Sequence, residues 1–206
     1  MHVAFDIGNV LCHFDPTIYN KELHRMIHHD VRFIYWENVV PHLENMEKLD
    51  YLGMINRSKH LETTFRINNA DYLNDIWNST VTINNQMMNF LVKLKDAGVK
   101  IALLSNMGPD HAKYLREKYP ELFDKTIQHL SFEAGAFKPS KLFYQSFLMS
   151  NEDFAGCVYL DDVKENIISG TKMKFDAIHF DLRDFEKPSE LKKRLETIYD
   201  KITTGI

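Results

Sequence analysis

The sequence predicts an α/β protein, a doubly wound parallel sheet with an all-helical insertion after its first strand, and three observations carry that prediction. From residue 86 onward, amphipathic segments alternate with short apolar runs, as helices alternate with strands covered on both faces. The opening run, His2 to Ile7, is of the same strand-like kind, yet the next one does not come until Val99. Between them, residues 16 to 84 read as helices, and no strand is convincing there. The expected division is residues 1–15 with 85–206 as the α/β core domain and residues 16–84 as a helical domain.

Taken in order, the insertion carries Leu23, Met26 and Ile27 on one helical stripe, then helical candidates at Val31 to Met46, Ser58 to Phe65 and Ala70 to Trp77. Met87, Leu91 and Leu94 share the face of the next helix; Lys93 and Lys95 suit its carboxyl end, and Gly98 is placed to stop it. Val99 to Leu104 is a strand. Pro109 opens a helix to about Lys118, Lys125 to Leu130 is a strand, and Pro139 opens a third helix. Cys157 to Leu160 and Phe175 to Phe180 are further strands. Leu191, Leu195, Ile198 and Ile202 mark a final amphipathic helix after Pro188 and Ser189.

Composition narrows the function classes. The 206 residues hold 25 Lys+Arg against 29 Asp+Glu, a net charge of −4, with 44% apolar and 26% charged residues. Those proportions belong to a globular domain and exclude disordered, collagenous and disulfide-stapled chains. The slightly acidic balance lacks the electrostatic footprint of a nucleic-acid binder. Cys12 and Cys157 are the two cysteines, far apart and outside any Cys-x-x-Cys pattern, as in a reduced intracellular protein without structural zinc. No apolar run approaches the roughly 20 residues that cross a bilayer, and the first residues do not read as a secretory signal. A soluble, cytoplasmic protein with no membrane partner is expected.

In an open parallel sheet, ligands bind beyond the carboxyl ends of the strands. The expected strands end in Asp6-Ile7-Gly8-Asn9, Ser105-Asn106 and Asp161-Asp162, and Lys138 lies in the loop before the third helix of the series. Aspartates ordinarily titrate near about pH 4, so Asp6, Asp161 and Asp162 gathered at neutral pH require a compensating cation. An all-oxygen site with few protein ligands suits Mg2+, which keeps several waters and accepts a substrate phosphate. Together, Mg2+ and Lys138 would offset the charge of a phosphomonoester and let an anionic Asp6 approach phosphorus. The expected chemistry is phosphoryl transfer to a carboxylate, followed by hydrolysis of the aspartyl-phosphate.

The order Phe5-Asp6-Ile7-Gly8-Asn9-Val10, Leu103-Leu104-Ser105-Asn106, Lys138-Pro139, and Leu160-Asp161-Asp162 followed by Asn166 resembles the four motifs of the haloacid dehalogenase (HAD) superfamily. The resemblance spans essentially the whole chain. It is greatest to the branch of small sugar-phosphate phosphatases, including α-glucose-1-phosphate phosphatases, whose first motif also reads Asp-x-Gly-Asn-Val and whose small helical cap follows motif one. It implies Asp6 as nucleophile and metal ligand, with the Gly8 carbonyl and Asp162 as further ligands and Asp161 as a direct or water-mediated one. Ser105 and the Asn106 amide would hold phosphate oxygens, and Lys138 would bridge phosphate and Asp6. The substrate would be a small phosphorylated metabolite, either a sugar phosphate or a nucleoside monophosphate.

Two positions depart from the superfamily pattern. Gly8 stands where most of its phosphatases carry a second aspartate, the acid that protonates the leaving alcohol and the base that activates water. His13 and Asp15 are the nearest substitutes. Asn166 stands where many relatives have another aspartate.

Each residue alone has a blander reading: Asp6 as a turn residue, Ser105-Asn106 as a helix cap, Asp161-Asp162 as a solvated helix start, Lys138 as an exposed lysine. Their joint occurrence favours the site. His24 and His28 have the spacing of two metal ligands on a helix but no third ligand, so zinc is not expected. Phe33, Tyr35 and Trp36 read as core aromatics before they read as a stacking surface, and Arg57 and Arg66 read as a solvated helix face before they read as anion ligands. Two other functions fit the fold: a metal-free dehalogenase using the same aspartate, and a phosphate-binding module with weak turnover, suggested by Gly8 and Asn166.

Overall fold

The computed structural model describes residues 1–27 and 29–204, and for residues 29–38 the backbone alone. Five strands form one parallel sheet: β1 (His2–Phe5), β4 (Lys100–Ser105), β5 (Thr126–Leu130), β6 (Val158–Asp161) and β7 (Asp176–His179). Their order is β5-β4-β1-β6-β7, which puts β1 at the centre with β4 and β6 on its two sides. In register, Phe5 pairs with Leu103 on one side and Leu160 on the other, so Asp6, Ser105 and Asp161 all emerge at the same sheet edge.

The strands read as continuous apolar runs because both faces are covered. Val3, Phe5, Leu103 and Leu160 point to one face. There they pack with Leu91 and Leu94 of α5 (Asn85–Asp96), Leu115 of α6 (Pro109–Lys118), and Leu195 and Ile198 of α11 (Pro188–Thr204). Ala4, Ala102, Leu104 and Tyr159 point to the other, against Phe143, Tyr144 and Phe147 of α9 (Lys141–Ser150). Each large apolar side chain so buried contributes roughly 1.5–3 kcal/mol, and the alternation along β1 fixes its register. Short helices α7 (Pro120–Phe123) and α8 (Ser131–Ala134) flank β5, and α10 (Lys164–Lys172) links β6 to β7.

Among the described residues, four helices run between β1 and α5: α1 (Thr17–Met26), α2 (His29–Tyr51), α3 (Arg57–Phe65) and α4 (Ala70–Ser79). They have an apolar cluster of their own, with Tyr19, Leu23, Leu61, Leu73 and Trp77 among its members. One expectation fails here. Residues 16–84 are not wholly helical, because Val81–Ile83 forms β3, antiparallel to β2 (Cys12–Phe14). Three-residue strands are too short for periodicity to reveal, and this pair forms because the chain leaves and re-enters the core side by side. A smaller difference is that α9 starts at Lys141 with Ser140 as its side-chain cap, two residues beyond Pro139. Among the described residues no helix is long and apolar enough to cross a membrane.

Candidate active site

Lys138 lies at the centre of the site. Its ammonium is 2.8 Å from Asp6 Oδ1 and 2.7 Å from Asp161 Oδ2, and the lysine side chain is 1% exposed. Asn106 fixes the loop that carries it: its Nδ2 donates to the Lys138 carbonyl at 2.9 Å and its Oδ1 accepts from the Lys138 amide at 2.8 Å. The motif-two asparagine therefore reaches across from the end of β4 to orient the lysine. Burial alone would push the Lys138 ammonium down; the carboxylates of Asp161 and Asp6 outweigh that and hold it above its usual range.

The two carboxylates of the doublet behave differently. Asp161 is fully buried and both oxygens are engaged, by Lys138, by the Tyr159 hydroxyl, by the Val163 amide at 2.8 Å and by Asn166 Nδ2 at 3.0 and 3.2 Å. Asp162 lines the cavity, and its Oδ2 accepts from Asn9 Nδ2 at 3.1 Å and Arg183 Nη2 at 3.3 Å. Among the described residues, nothing donates to its Oδ1. Burial pushes the Asp162 carboxyl up, and the neighbouring Asp161 adds to the effect against the Asn9 bond. Asp6 is also raised, to about 6, by burial first, with the Lys138 charge opposing and the Asp161 charge reinforcing.

Asp6, Asp161 and Asp162 each place a carboxylate oxygen within 4.8 Å of the others, a spacing that fits one hard cation. The open donor atoms are those of Asp6 and Asp162. Asp161 is spent on Lys138, Tyr159 and Asn166, and so suits orienting the lysine better than ligating a metal. Asn166, the departure in motif four, supports this arrangement. With an amide there instead of a carboxylate, it donates to Asp161 instead of repelling it.

The cavity over these groups measures about 360 Å³ and is also lined by Gly8, Ser105 and Asn106. All seven residues singled out from the sequence thus stand around one point, six lining the cavity and Asp161 directly behind it. His13 and Asp15 do not line it; His13 Nε2 pairs with Asn84 Nδ2 at 3.0 Å and Asp15 Oδ1 accepts from the Thr17 amide at 2.9 Å. Arg57 is a correction. It is 1% exposed rather than on a solvated face, its Nη1 3.2 Å from Asp50 Oδ2, its Nη2 donating to the Tyr19 hydroxyl at 2.9 Å. Its guanidinium lies 4.0 Å from the Trp77 ring centre. Arg66 is exposed. His28 and the side chains of Phe33, Tyr35 and Trp36 lie outside the described residues.

Four contributors were not singled out as site residues in the sequence. Asn9, with φ of 52°, occupies the left-handed region that asparagine tolerates; its carbonyl accepts from the Leu182 amide at 2.7 Å and its Oδ1 from the Phe14 amide at 3.1 Å. It thereby locks the turn after β1 while its Nδ2 holds Asp162, and an Asn directly after a glycine was a usable signal. Tyr159, Arg183 and His111 gave none, since nothing local distinguishes a buried strand tyrosine, a loop arginine or a helix histidine.

No protein-family model matches the chain. Solved structures do. A HAD family enzyme of Bacteroides thetaiotaomicron, bt-2542, superposes with a TM-score of 0.77 at 18% identity, over 93% of this chain and 97% of that one. The same enzyme in complex with magnesium and inorganic phosphate gives 0.75 at 17%, over 92% and 98%. The L-2-haloacid dehalogenase of Xanthobacter autotrophicus, with chloropropionic acid covalently bound, gives 0.59 at 18%, over 95% and 82%. This chain therefore has the fold of the HAD-family enzymes, from the central sheet through the helices inserted after its first strand.

Proposed function

We propose that the protein is a Mg2+-dependent phosphomonoesterase acting on a small phosphorylated metabolite, with helices α1–α4 as a cap over the site. The observation that carries this reading is the Lys138 ammonium held between Asp6 and Asp161 beside a cavity that Ser105 and Asp162 share. The bt-2542 complex, which holds magnesium and inorganic phosphate in the same fold, supports it.

The residues divide the work as follows. Asp6 and Asp162 would hold the metal, with the Gly8 carbonyl as a backbone ligand; bound there, Mg2+ would neutralise phosphate charge and draw electrons from phosphorus. Ser105 and the Asn106 amide receive phosphate oxygens. Lys138 contributes a second positive charge, aimed by Asp161 and Asn106 so that no reorganisation is needed when charge builds on the phosphoryl oxygens. An Asp6 oxygen forms the bond to phosphorus as the bond to the leaving oxygen breaks. The leaving oxygen takes a proton from cavity water, and water then cleaves the aspartyl-phosphate, returning Asp6 and releasing phosphate.

The test is release of inorganic phosphate from 4-nitrophenyl phosphate and from hexose and nucleoside monophosphates, with Mg2+ and with a chelator. Activity that needs the metal and disappears in Asp6→Asn is the expected result. Activity of Asp6→Asn equal to the unchanged protein excludes the assigned nucleophile. The dehalogenase among the similar structures gives a second reading, in which the same carboxylate displaces halide from carbon. That chemistry needs no divalent cation and leaves Asp162, with its open oxygen, without a role. Chloride release from a 2-chloroacid that ignores chelation would favour it.

A further inference from the structure

The cavity has a second part, lined from the helical insertion and its two connecting strands, where Phe14 and His111 both lie against the Trp77 ring. Phe14, Pro16, Trp77 and Val81 make it apolar, with Met107 on the core side, and Tyr51 at the end of α2 also lines it. His111, from the first turn of α6, stands there as well. Resting on the phosphomonoesterase reading, we infer that this part receives an uncharged, hydroxyl-bearing leaving group, and that His111 determines specificity by accepting a hydrogen bond from one of its hydroxyls through Nε2.

Charge is the first observation. Lys138 is committed to Asp6 and Asp161, and Arg183 to Asp181 at 2.6 Å and to Asp162. Among the described residues, the insertion's buried cation is Arg57; its charge faces Asp50, the Tyr19 hydroxyl and the ring of Trp77, and it does not line the cavity. No cation among the described residues is left over in this part for a second phosphate or a carboxylate. A second anionic group placed there would lose its hydration without gaining a partner, a loss that apolar walls do not return.

The state of His111 is the second. Its Nδ1 lies 3.1 Å from Asn78 Oδ1, an atom that can only accept, so Nδ1 carries the proton. Nε2 is then a bare lone pair, and among the described residues no group donates to it. His111 is 7% exposed, and burial, reinforced by the Arg57 charge, pushes its pKa down to about 4, which keeps the imidazole neutral. A neutral, pre-oriented acceptor facing a cavity repels anionic oxygens and rewards a donor. Hydroxyls supply that donor, and the C–H faces of a polyol suit the apolar walls. A site built to pair with one hydroxyl also rejects the analogue that lacks it, because its own polar atom is left unpaired.

The experiment compares kcat/KM for hexose monophosphates and their monodeoxy analogues on the unchanged protein, His111→Phe and His111→Gln, with 4-nitrophenyl phosphate as a reference. Bisphosphates and phosphorylated hydroxy acids complete the panel. The expected result is one hydroxyl whose removal lowers kcat/KM about 10- to 100-fold in the unchanged protein. In His111→Phe the same removal should make no difference, and His111→Gln, which keeps an acceptor oxygen, should retain part of the discrimination. A purely structural histidine would lower all substrates alike. The inference is overturned if every deoxy analogue loses the same factor with and without the imidazole. It is also overturned, from the unchanged protein alone and whether or not the variants fold, if a bisphosphate or phosphorylated acid outruns every monophosphate with a neutral leaving group. No phosphate release from any compound, the aryl ester included, instead overturns the phosphomonoesterase reading and takes the inference with it.

Discussion

At the scale of single residues, Asp6 sets function against stability. Its carboxyl is raised from the ordinary 3.8 to about 6, chiefly because it is buried. A group whose folded pKa lies above its unfolded one contributes stability that is complete below the unfolded value and is lost as pH rises through the folded value. Ionised Asp6 is therefore a net burden on the metal-free protein at neutral pH even with Lys138 beside it, because the cost of burial outweighs that attraction. Asp6→Asn should be more stable than the unchanged protein at pH 7.5 with a chelator present, and the gain should vanish near pH 4. Urea unfolding across that range checks it, and a variant that is less stable at pH 7.5 contradicts the sign. Gly8 gives a second case. A Cβ there would meet only Phe14 Cβ, at an ordinary 3.8 Å, so the first atom of a side chain is accommodated without moving the backbone. On the phosphomonoesterase reading, in which cavity water protonates the leaving oxygen, Gly8→Asp adds a side-chain proton donor, and kcat on alkyl phosphates should rise by about 10-fold or more. The rise should be much smaller on 4-nitrophenyl phosphate, whose leaving group departs without a proton. Equal gains on both would mean that protonation is not what Gly8 lacks.

At the scale of elements, α2 and the start of α6 meet with no room for a side chain at Gly108. Asp50, near the end of α2, lies so close to Gly108, the residue before α6, that a Cβ on Gly108 would fall 2.3 Å from Asp50 Oδ1. The Asp50–Arg57 pair behind this contact is buried, and removing one member of a buried pair strands the other charge. Arg57→Ala should cost about 3–5 kcal/mol, whereas Asp50→Asn with Arg57→Met should cost clearly less, since neither charge then remains to be desolvated. Chemical unfolding of the three proteins measures the difference, and equal costs would show that the pair carries little charge energy. None of this was visible in the sequence, where Arg57 looks like one more polar residue on a helix and Gly108 like a turn. The strand ends were visible because a parallel sheet forces Asp6, Ser105 and Asp161 to one edge once β1, β4 and β6 are recognised as apolar runs. Within the acidic doublet, the full burial of Asp161 was hidden: alternation along β6 buries it with Tyr159 and leaves Asp162 to the cavity, and that depends on where the strand stops. The β2–β3 pair was missed for the opposite reason, being too short for its own pattern and held by chain closure instead.

At the scale of the whole molecule, folding gathers three carboxylates against one lysine, and a ligand that binds only this assembled site must stabilise the fold. The gain is RT ln(1 + [L]/Kd), about 2.7 kcal/mol when the ligand stands at 100 times its Kd. For a chain of this length that amounts to a rise in Tm of roughly 5–10 °C. Mg2+ should produce it, and phosphate should add more in the presence of Mg2+ than in its absence, because each ligand relieves the charge that opposes the other. The chain's net charge of −4 means that salt alone has some effect, so the comparison belongs at ionic strength matched with NaCl, where general screening is held constant. Asp162→Asn should remove most of the Mg2+ response by taking away one of the two acidic donors with an open oxygen. Asp161→Asn should act differently: it strips Lys138 of a buried partner, so the protein itself loses stability while the magnesium donors stay in place. Thermal melts of the three proteins with and without Mg2+ separate these roles. A magnesium response that survives in Asp162→Asn and vanishes in Asp161→Asn would reverse the assignment, making the buried member of the doublet the ligand and the cavity member its support.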